Sequence, residues 1–243
     1  MPMESSDFYD KFASAYQDYA SERRAYIDAV DAFIRSEIGK MRGGSVVDIG
    51  SGTGARIESI FGTTKNPLRI TAIDNSDGMI GILQKVPGVT ITKNDIASVN
   101  FSIPEKYDVA LCLWNVLGHI ATAEKRTRAL KNMAKILHDN GRLFIDVNNR
   151  YNAAQYGVFP VLKNMASDAL QIHPATTGNF RLTVAVHEET IDTTVHLFTA
   201  AEMRALIQSA GLKILRSKAI HYRTGKTVLC SSMGQLVYEL AKQ

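Results

Sequence analysis

Apolar side chains recur at every third or fourth position early in the chain. Phe8, Phe12 and Tyr16 show this spacing, and a second set runs from Tyr26 to Ile34. Such spacing places side chains on one face of an α-helix. We therefore expect residues 7 to 38 to be helical, up to the break at GKMRGG (39–44).

From Ser45 onwards, short apolar runs alternate with amphipathic segments. The runs are SVVDI (45–49), LRITAID (68–74), VTIT (89–92), YDVALCLW (107–114) and RLFIDV (142–147). Nearly continuous apolar runs are typical of strands buried on both faces of a parallel sheet. Helical spacing marks two of the intervening segments, at 79–86 and at 130–137, and DNG (139–141) predicts the end of the second helix. This alternation predicts an α/β fold with a doubly wound, Rossmann-like sheet over residues 45–150.

Residues 151–198 interrupt the alternation. An irregular stretch is followed by RLTVAVHE (181–188) and TIDTTVHLF (190–198), which alternate like strands and predict an antiparallel ribbon joined near Glu189-Thr190. We expect an inserted lobe that serves as a substrate lid after the fifth strand. The alternative is an irregular surface excursion.

The α/β pattern then resumes to the end of the chain. Thr199 and Glu202 form a capping box before a helix that Gly211 ends. LKILRSKAI (212–220) and KTVLCSSM (226–233) are the expected closing strands. We therefore predict a single domain with an N-terminal helical cap (1–44), a cofactor-binding core (45–150), a lid (151–198) and a closing helix and strands (199–243).

Composition narrows the class of protein. The 243 residues carry a net charge of +4 from dispersed basic residues, which argues against nucleic acid as a partner. Two cysteines form neither a disulfide framework nor a zinc site, and no metal-ligand spacing is evident. The N-terminus does not resemble a signal peptide, and no apolar run approaches the roughly 20 residues that span a membrane. A cytoplasmic protein without membrane contact is expected.

Three glycines follow the first predicted strand, where a doubly wound sheet binds its ligands. Gly50, Gly52 and Gly54 stand at alternate positions, so the backbone can approach a ligand closely. This G-x-G-x-G spacing differs from the G-x-G-x-x-G of dinucleotide sites and disfavours NAD or FAD. The alternative is a tight turn without a ligand.

Acidic residues end the next two strands. Asp74 lies about twenty residues beyond the glycines, where a carboxylate can accept hydrogen bonds from ribose hydroxyls. Asp95 can take an adenine amino group while Ile96 packs on the ring. The alternatives are an exposed strand-end aspartate for Asp74 and an Asx turn for Asp95.

Together these segments resemble class I S-adenosylmethionine-dependent methyltransferases. VVDIGSGTG is similar to their first motif, TAIDNSDGMI to the second and NDI to the third. YDVALCLWNVLGHI resembles the fourth-strand motif, and LHDNGRLFIDVNN the fifth-strand region. There HDNG replaces the proline and first glycine of the usual L-x-P-G-G. YDKFASAY is similar to the entry segment of many small-molecule members.

The resemblance implies S-adenosyl-L-methionine as cofactor and assigns residues to it. Gly50, Gly52 and the adjoining backbone, with Ser51, would lie at its methionine part, and Asp48 would support that loop or the cofactor's amino group. Asp74 would hold the ribose, with Asn75 and Met79 beside the adenosine. Asp95 and Ile96 would hold the adenine, and Leu113 and Trp114 would edge the sulfonium. Tyr16, and Arg23 or Arg24, would cover the carboxylate.

Methyl transfer is an in-line displacement that depends on positioning and exclusion of water. A base is needed when the acceptor is an ammonium or a phenol. Our candidates near the acceptor are His119 after the fourth strand, Asn149 after the fifth, and Tyr222. Packing, or a turn for Asn149, is the alternative role of each.

We therefore predict a methyltransferase that acts on a nitrogen or oxygen of a small-molecule acceptor. The alternatives are an RNA or protein methyltransferase, an NAD-dependent oxidoreductase, and a non-catalytic adenosine-binding module. The sequence leaves open whether the protein forms a homodimer.

Overall fold

Five parallel strands form the centre of the fold, as the apolar runs predict. They are β1 (Gly44–Ile49), β2 (Leu68–Asp74), β3 (Val89–Lys93), β4 (Tyr107–Cys112) and β5 (Leu137–Val147). The computed structural model describes residues 3–39, 43–62, 68–170, 177–187 and 189–243. Within these ranges, no helix is both long enough and apolar enough to cross a membrane.

The main sheet also contains β8 (Leu212–Ile220), β9 (Thr227–Val228) and β10 (Gln235–Lys242), and its strand order is β3-β2-β1-β4-β5-β10-β8-β9. Strand β1 pairs in parallel with β2 on one side and with β4 on the other. The strand order therefore reverses between β1 and β4. A reversal of this kind opens a crevice at the carboxyl ends of the strands. The predicted doubly wound α/β fold is therefore confirmed, with its ligand-binding edge at the ends of β1, β2 and β4.

Helices cover both faces of the sheet. The N-terminal cap contains three helices, α1 (Ser5–Phe12), α2 (Tyr16–Ser21) and α3 (Arg24–Ile38), where the pattern predicts one helical stretch. The crossovers contain α4 (Ala55–Phe61), α5 (Asp77–Leu83) and α6 (Ala123–Lys135). One apolar core includes Val47, Ala110 and Met133, and the other includes Val30, Val46 and Phe144. Alternate residues of β1 thus enter opposite cores, since successive strand side chains point to opposite faces.

The fifth strand begins earlier than its apolar run suggests. The preceding helix α6 ends at Lys135, and β5 starts at Leu137, so DNG lies within the strand and does not end the helix. Leu137 pairs with Tyr107 of β4. The next pair is Val109 with Arg142, so DNG forms an irregular, unpaired bulge near the start of β5.

The segment after β5 contains two helices and a separate ribbon. The helices are α7 (Ala153–Tyr156) and α8 (Val158–Ala169), and the predicted antiparallel ribbon is formed by β6 (Asn179–Val186) and β7 (Glu189–His196). The ribbon contributes Val184, Val186 and Ile191 to a small apolar cluster with Phe8 and Phe12 of α1. The ribbon therefore packs against α1 and stabilises its position.

The closing strands differ in part from the prediction. The capping box of Thr199 and Glu202 begins α9 (Ala200–Ser209), and β8 (Leu212–Ile220) follows as expected. KTVLCSSM forms only the short strand β9 (Thr227–Val228) and a 3-10 turn (Ser231–Met233). The strand that inserts between β5 and β8 is β10 (Gln235–Lys242), antiparallel to both. Its sequence QLVYELAK lacks a continuous apolar run, because the buried positions include Gln235 and Glu239.

Candidate active site

The loop between β1 and α4 forms the floor of a cleft at the switch point of the sheet. Gly50 and Gly52 adopt φ values of +69° and +56°, which favour glycine. A Cβ on Gly50 would lie 2.5 Å from the Val116 side chain, and one on Gly52 would lie 3.5 Å from the Tyr16 hydroxyl. Gly50 is therefore required both by its backbone conformation and by the close approach of Val116, and Gly52 by its backbone conformation.

Asp74 connects the glycine loop to the second crossover. One carboxylate oxygen accepts a hydrogen bond from the Gly52 N–H at 2.8 Å, and the other accepts one from the Ser76 N–H at 2.9 Å. Burial raises the pKa of Asp74, while these backbone donors lower it. Each oxygen has a second lone pair, so the carboxylate can still accept from a ligand in the cleft.

The end of β3 supplies one side of the cleft. Asp95 accepts a hydrogen bond from the Ala97 N–H at 2.8 Å, which is the Asx turn considered above, and Asp95 also lines the cleft. Ile96 and Met79 are buried and line the same cavity. The Asx turn and a ligand contact are compatible, because the turn uses only one lone pair of one oxygen.

The N-terminal helices cover the cleft. Tyr9 of α1 and Tyr16 of α2 line it, and α1 is attached to the sheet edge through Asp10. The Asp10 carboxylate accepts hydrogen bonds from the Ser76 hydroxyl at 2.6 Å and the Gly78 N–H at 3.0 Å. This contact fixes α1 on the first turn of α5, which follows the strand that carries Asp74.

His119 meets Tyr9 at the far end of the cleft. The Nε2 atom of His119 lies 3.0 Å from the Tyr9 hydroxyl, and the rings are in edge contact at 5.1 Å. The Nδ1 atom of His119 is shielded from solvent and has no hydrogen-bond partner within the described residues. Burial lowers the pKa of His119 to about 4 and raises that of Tyr9, so both rings are neutral at pH 7.

Most of the predicted ligand residues meet in this single cavity of about 230 Å³. They are Tyr16, Gly50, Gly52, Asp74, Asn75, Met79, Asp95, Ile96, Leu113, Trp114 and His119. Their roles toward a ligand stay predictions. Tyr9, Asn94 and Val116 also line the cavity, although they were not predicted from the sequence. Tyr9 lies in the YDKFASAY segment, whose resemblance to a family entry segment could have indicated it.

Two of the predicted cofactor residues lie beneath the cleft wall. Asp48 is buried, and burial raises its pKa to about 7, although the positive charge of Arg56 lowers it. The Ser51 hydroxyl donates to the Asp48 carbonyl at 2.7 Å. These two residues therefore support the glycine loop from below, which is one of the two roles predicted for Asp48.

Three further predicted residues, Arg24, Asn149 and Tyr222, do not line the cleft. Arg24 is largely exposed and pairs with Asp28 one helical turn away at 2.8 Å, so nothing directs it toward the cavity. The Asn149 amide group donates to the carbonyls of Ser231 and Gly234, which gives it a structural role between β5 and the closing turn.

Tyr222 lies behind the wall of the cleft. Its hydroxyl accepts a 3.4 Å hydrogen bond from the Trp114 indole, and its ring packs on Tyr26. Tyr222 is therefore in contact with a residue of the cleft wall but does not itself line the cavity.

The segment predicted as a lid does not contribute to this cavity. Among the described residues, those that line the cleft come from 4–125, and none comes from 151–198. The reason is that β6 and β7 pack on α1, which itself takes the covering position. A direct contact between the lobe and an acceptor therefore stays a prediction.

Comparison with known proteins adds independent information. Residues 19–217 match the family described as "Methyltransferase domain". A curated relative from Saccharopolyspora spinosa, dTDP-4-amino-2,3,4,6-tetradeoxy-D-glucose N,N-dimethyltransferase, is 29% identical over 143 residues. That match covers 58% of this chain and spans about half (53%) of the relative.

Solved structures share the fold at low identity. A S-adenosylmethionine-dependent methyltransferase from Clostridium acetobutylicum superposes with a TM-score of 0.65 at 15% identity, over 96% of this chain and 98% of that one. An amino pentose methyltransferase from Micromonospora echinaspora, solved with S-adenosylmethionine, gives 0.61 at 14% identity, over 94% and 97%.

Proposed function

Since the chain belongs to the methyltransferase-domain family, we propose that it methylates a nitrogen atom of a small-molecule amine. The family membership confirms the predicted enzyme class and its cofactor, S-adenosylmethionine. The acceptor and the atom that receives the methyl group are the proposed part.

The residues of the cleft fit this cofactor. Gly50 and Gly52 leave the floor without side chains, and Asp74 presents free lone pairs to a ribose. Asp95 and Ile96 stand where an adenine would bind, and Leu113 and Trp114 border the other end. When bound, S-adenosylmethionine would supply an activated methyl group, which the acceptor would attack at carbon while the sulfur leaves in line as S-adenosylhomocysteine.

The neutral His119 beside Tyr9 carries the proposal. A protonated amine has no free lone pair, so it must lose a proton before it attacks. Burial lowers the pKa of His119 to about 4, so its ring is neutral at pH 7 and is a weak base. An amine that has already lost its proton can donate an N–H to this neutral ring, which would orient the nitrogen lone pair toward the methyl group. Tyr9 keeps its proton and can orient the ring through the 3.0 Å contact.

The names of similar proteins support an amine acceptor. The curated relative is a sugar N,N-dimethyltransferase, one structural neighbour is an amino pentose methyltransferase, and another is a glycopeptide N-methyltransferase. Amino sugars linked to a nucleotide are therefore the first compounds to test.

The test has two stages. Calorimetric titration with S-adenosylmethionine, S-adenosylhomocysteine and NAD should show binding of the first two and not of NAD. Methyl transfer is then followed by mass spectrometry on matched amino and hydroxy sugars. Methylation of the amine alone is expected, whereas methylation of the hydroxyl alone would contradict the proposal.

The His119→Gln variant tests the role of His119 in holding the acceptor. It should lower kcat at least about tenfold, as expected for loss of a group that positions the nucleophile, and leave the cofactor dissociation constant unchanged. An unchanged kcat would show that His119 only packs in the cleft.

A further inference from the structure

Helix α8 exposes most of its apolar side chains. Val158, Phe159, Leu162, Met165 and the following Leu170 are between 46% and 86% exposed, and we call these five residues the α8 face. Within α8 only Val161 is buried. Half of the large exposed apolar side chains in the described part of the chain therefore lie on one stretch of 13 residues. Concentrated exposure of this kind marks an interaction surface.

The α8 face carries almost no charge. The acidic residue of the helix, Asp168, is turned inward, where it accepts two 2.8 Å hydrogen bonds from Arg150 and one of 2.7 Å from Tyr151. The remaining charged residue of α8 is Lys163. A single lysine fits neither a nucleic acid nor an anionic membrane surface, which need clusters of basic residues.

The α8 face also lies outside the catalytic cleft. Among the described residues that line the cavity, none belongs to α8. Its nearest neighbour is α7, which packs against the closing turn at Ser231–Met233. The exposed side chains are thus not explained by contact with the cofactor or by the Tyr9 and His119 pair.

We propose that the α8 face binds a second copy of this chain in a two-fold symmetric dimer. A two-fold axis brings a patch into contact with itself, which suits an apolar surface with one charge per copy. From the exposed fractions, the five side chains offer roughly 600 Å² per copy, so about 1,200 Å² would be buried in total, which is the lower limit for a specific interface. This inference does not depend on the identity of the methyl acceptor.

The mass in solution tests the proposal. Sedimentation velocity of the full chain should give twice the 26.7 kDa of one copy. Phe159→Glu combined with Leu162→Glu places charges in the interface and should raise the dimer dissociation constant more than about tenfold, which yields a monomer. Both side chains are exposed, so the variant should keep the thermal unfolding and cofactor affinity of a folded monomer.

Phe180→Glu is the matched control. Phe180 is also exposed, at 55%, but lies on β6 outside the α8 face, and this variant should remain dimeric. As a second measurement, Leu162→Cys in a Cys230→Ser background should form a disulfide-linked dimer on mild oxidation, because Cys112 is buried.

Three results would overturn the proposal. The first is a wild-type chain that is monomeric at micromolar concentration, and the second is a dimer that survives the double substitution. The third is a monomeric wild-type chain in which the double substitution changes only the KM for the acceptor. The last result would assign the α8 face to acceptor entry.

Discussion

The carboxylate of Asp146 on β5 holds the backbone of Trp114 in a left-handed turn after β4. One oxygen accepts the Trp114 N–H at 2.6 Å, where φ is +58°, and the other accepts the Tyr26 hydroxyl at 2.7 Å. Arg56 lies 3.7 Å from the same carboxylate and also pairs with Asp31. Because Trp114 lines the cleft, a buried carboxylate on the neighbouring strand sets the position of its wall.

Asp146→Asn should destabilise the protein by about 2–4 kcal/mol, because it removes one charged partner of the buried Arg56. Urea unfolding measures this loss. Trp114 is the single tryptophan, so its fluorescence should also report the altered wall in the folded variant. Asp192→Asn, at an exposed ion pair with Arg181, is the control and should leave the unfolding midpoint within error. Equal effects of both variants would refute this role for Asp146.

Asp74→Ala should weaken binding of S-adenosylhomocysteine by roughly 1–3 kcal/mol, or about 5- to 150-fold, because charge-assisted hydrogen bonds are lost. Calorimetry gives the dissociation constant. The control is Asp77→Ala, three residues further on, where the side chain is exposed and pairs with Lys93. An unchanged constant for Asp74→Ala would exclude its contact with the ribose.

Gly50→Ala should prevent cofactor binding or lower it strongly, because φ is +69° and the new Cβ would lie 2.5 Å from Val116. Gly81→Ala is the opposite case, since Gly81 lies in α5 and nothing stands within 4 Å of its Cβ position. It should stabilise the helix by about 0.5–1 kcal/mol. Thermal unfolding and cofactor titration of both variants check this contrast, and normal binding by Gly50→Ala would contradict it.

His119 should make the stability of the protein depend on pH. Burial lowers its pKa from 6.5 to about 4, so the unfolded chain takes up the proton first as the pH falls. The stability that neutral His119 contributes is therefore fully present above pH 6.5 and is lost as the pH falls toward 4. At pH 5 the free energy of unfolding should be lower by about 2 kcal/mol. Urea unfolding of wild type and His119→Gln between pH 7 and 5 measures it. Parallel curves would show that His119 titrates normally.

The local pattern of the chain predicts the elements that depend on near neighbours. The capping box at Thr199, the five parallel strands and the glycine turn after β1 all follow from spacing and residue type over a few positions. β10 was missed because Gln235 and Glu239, which are buried in the fold, interrupt its apolar run. Its place between β5 and β8 is decided by pairing with residues far away in the chain.

The sequence by itself determined the doubly wound α/β fold, because apolar strands alternate with amphipathic helices along it. The motifs at its strand ends indicated the class of enzyme through their resemblance to a known family. Only the tertiary structure placed α1 over the cleft, where Tyr9 meets His119 across 110 positions of the chain. It also separated Arg24 and Asn149 from the cleft and turned Asp168 inward. These outcomes depend on which distant surfaces pack together, and packing is a property of the whole fold that local spacing does not encode.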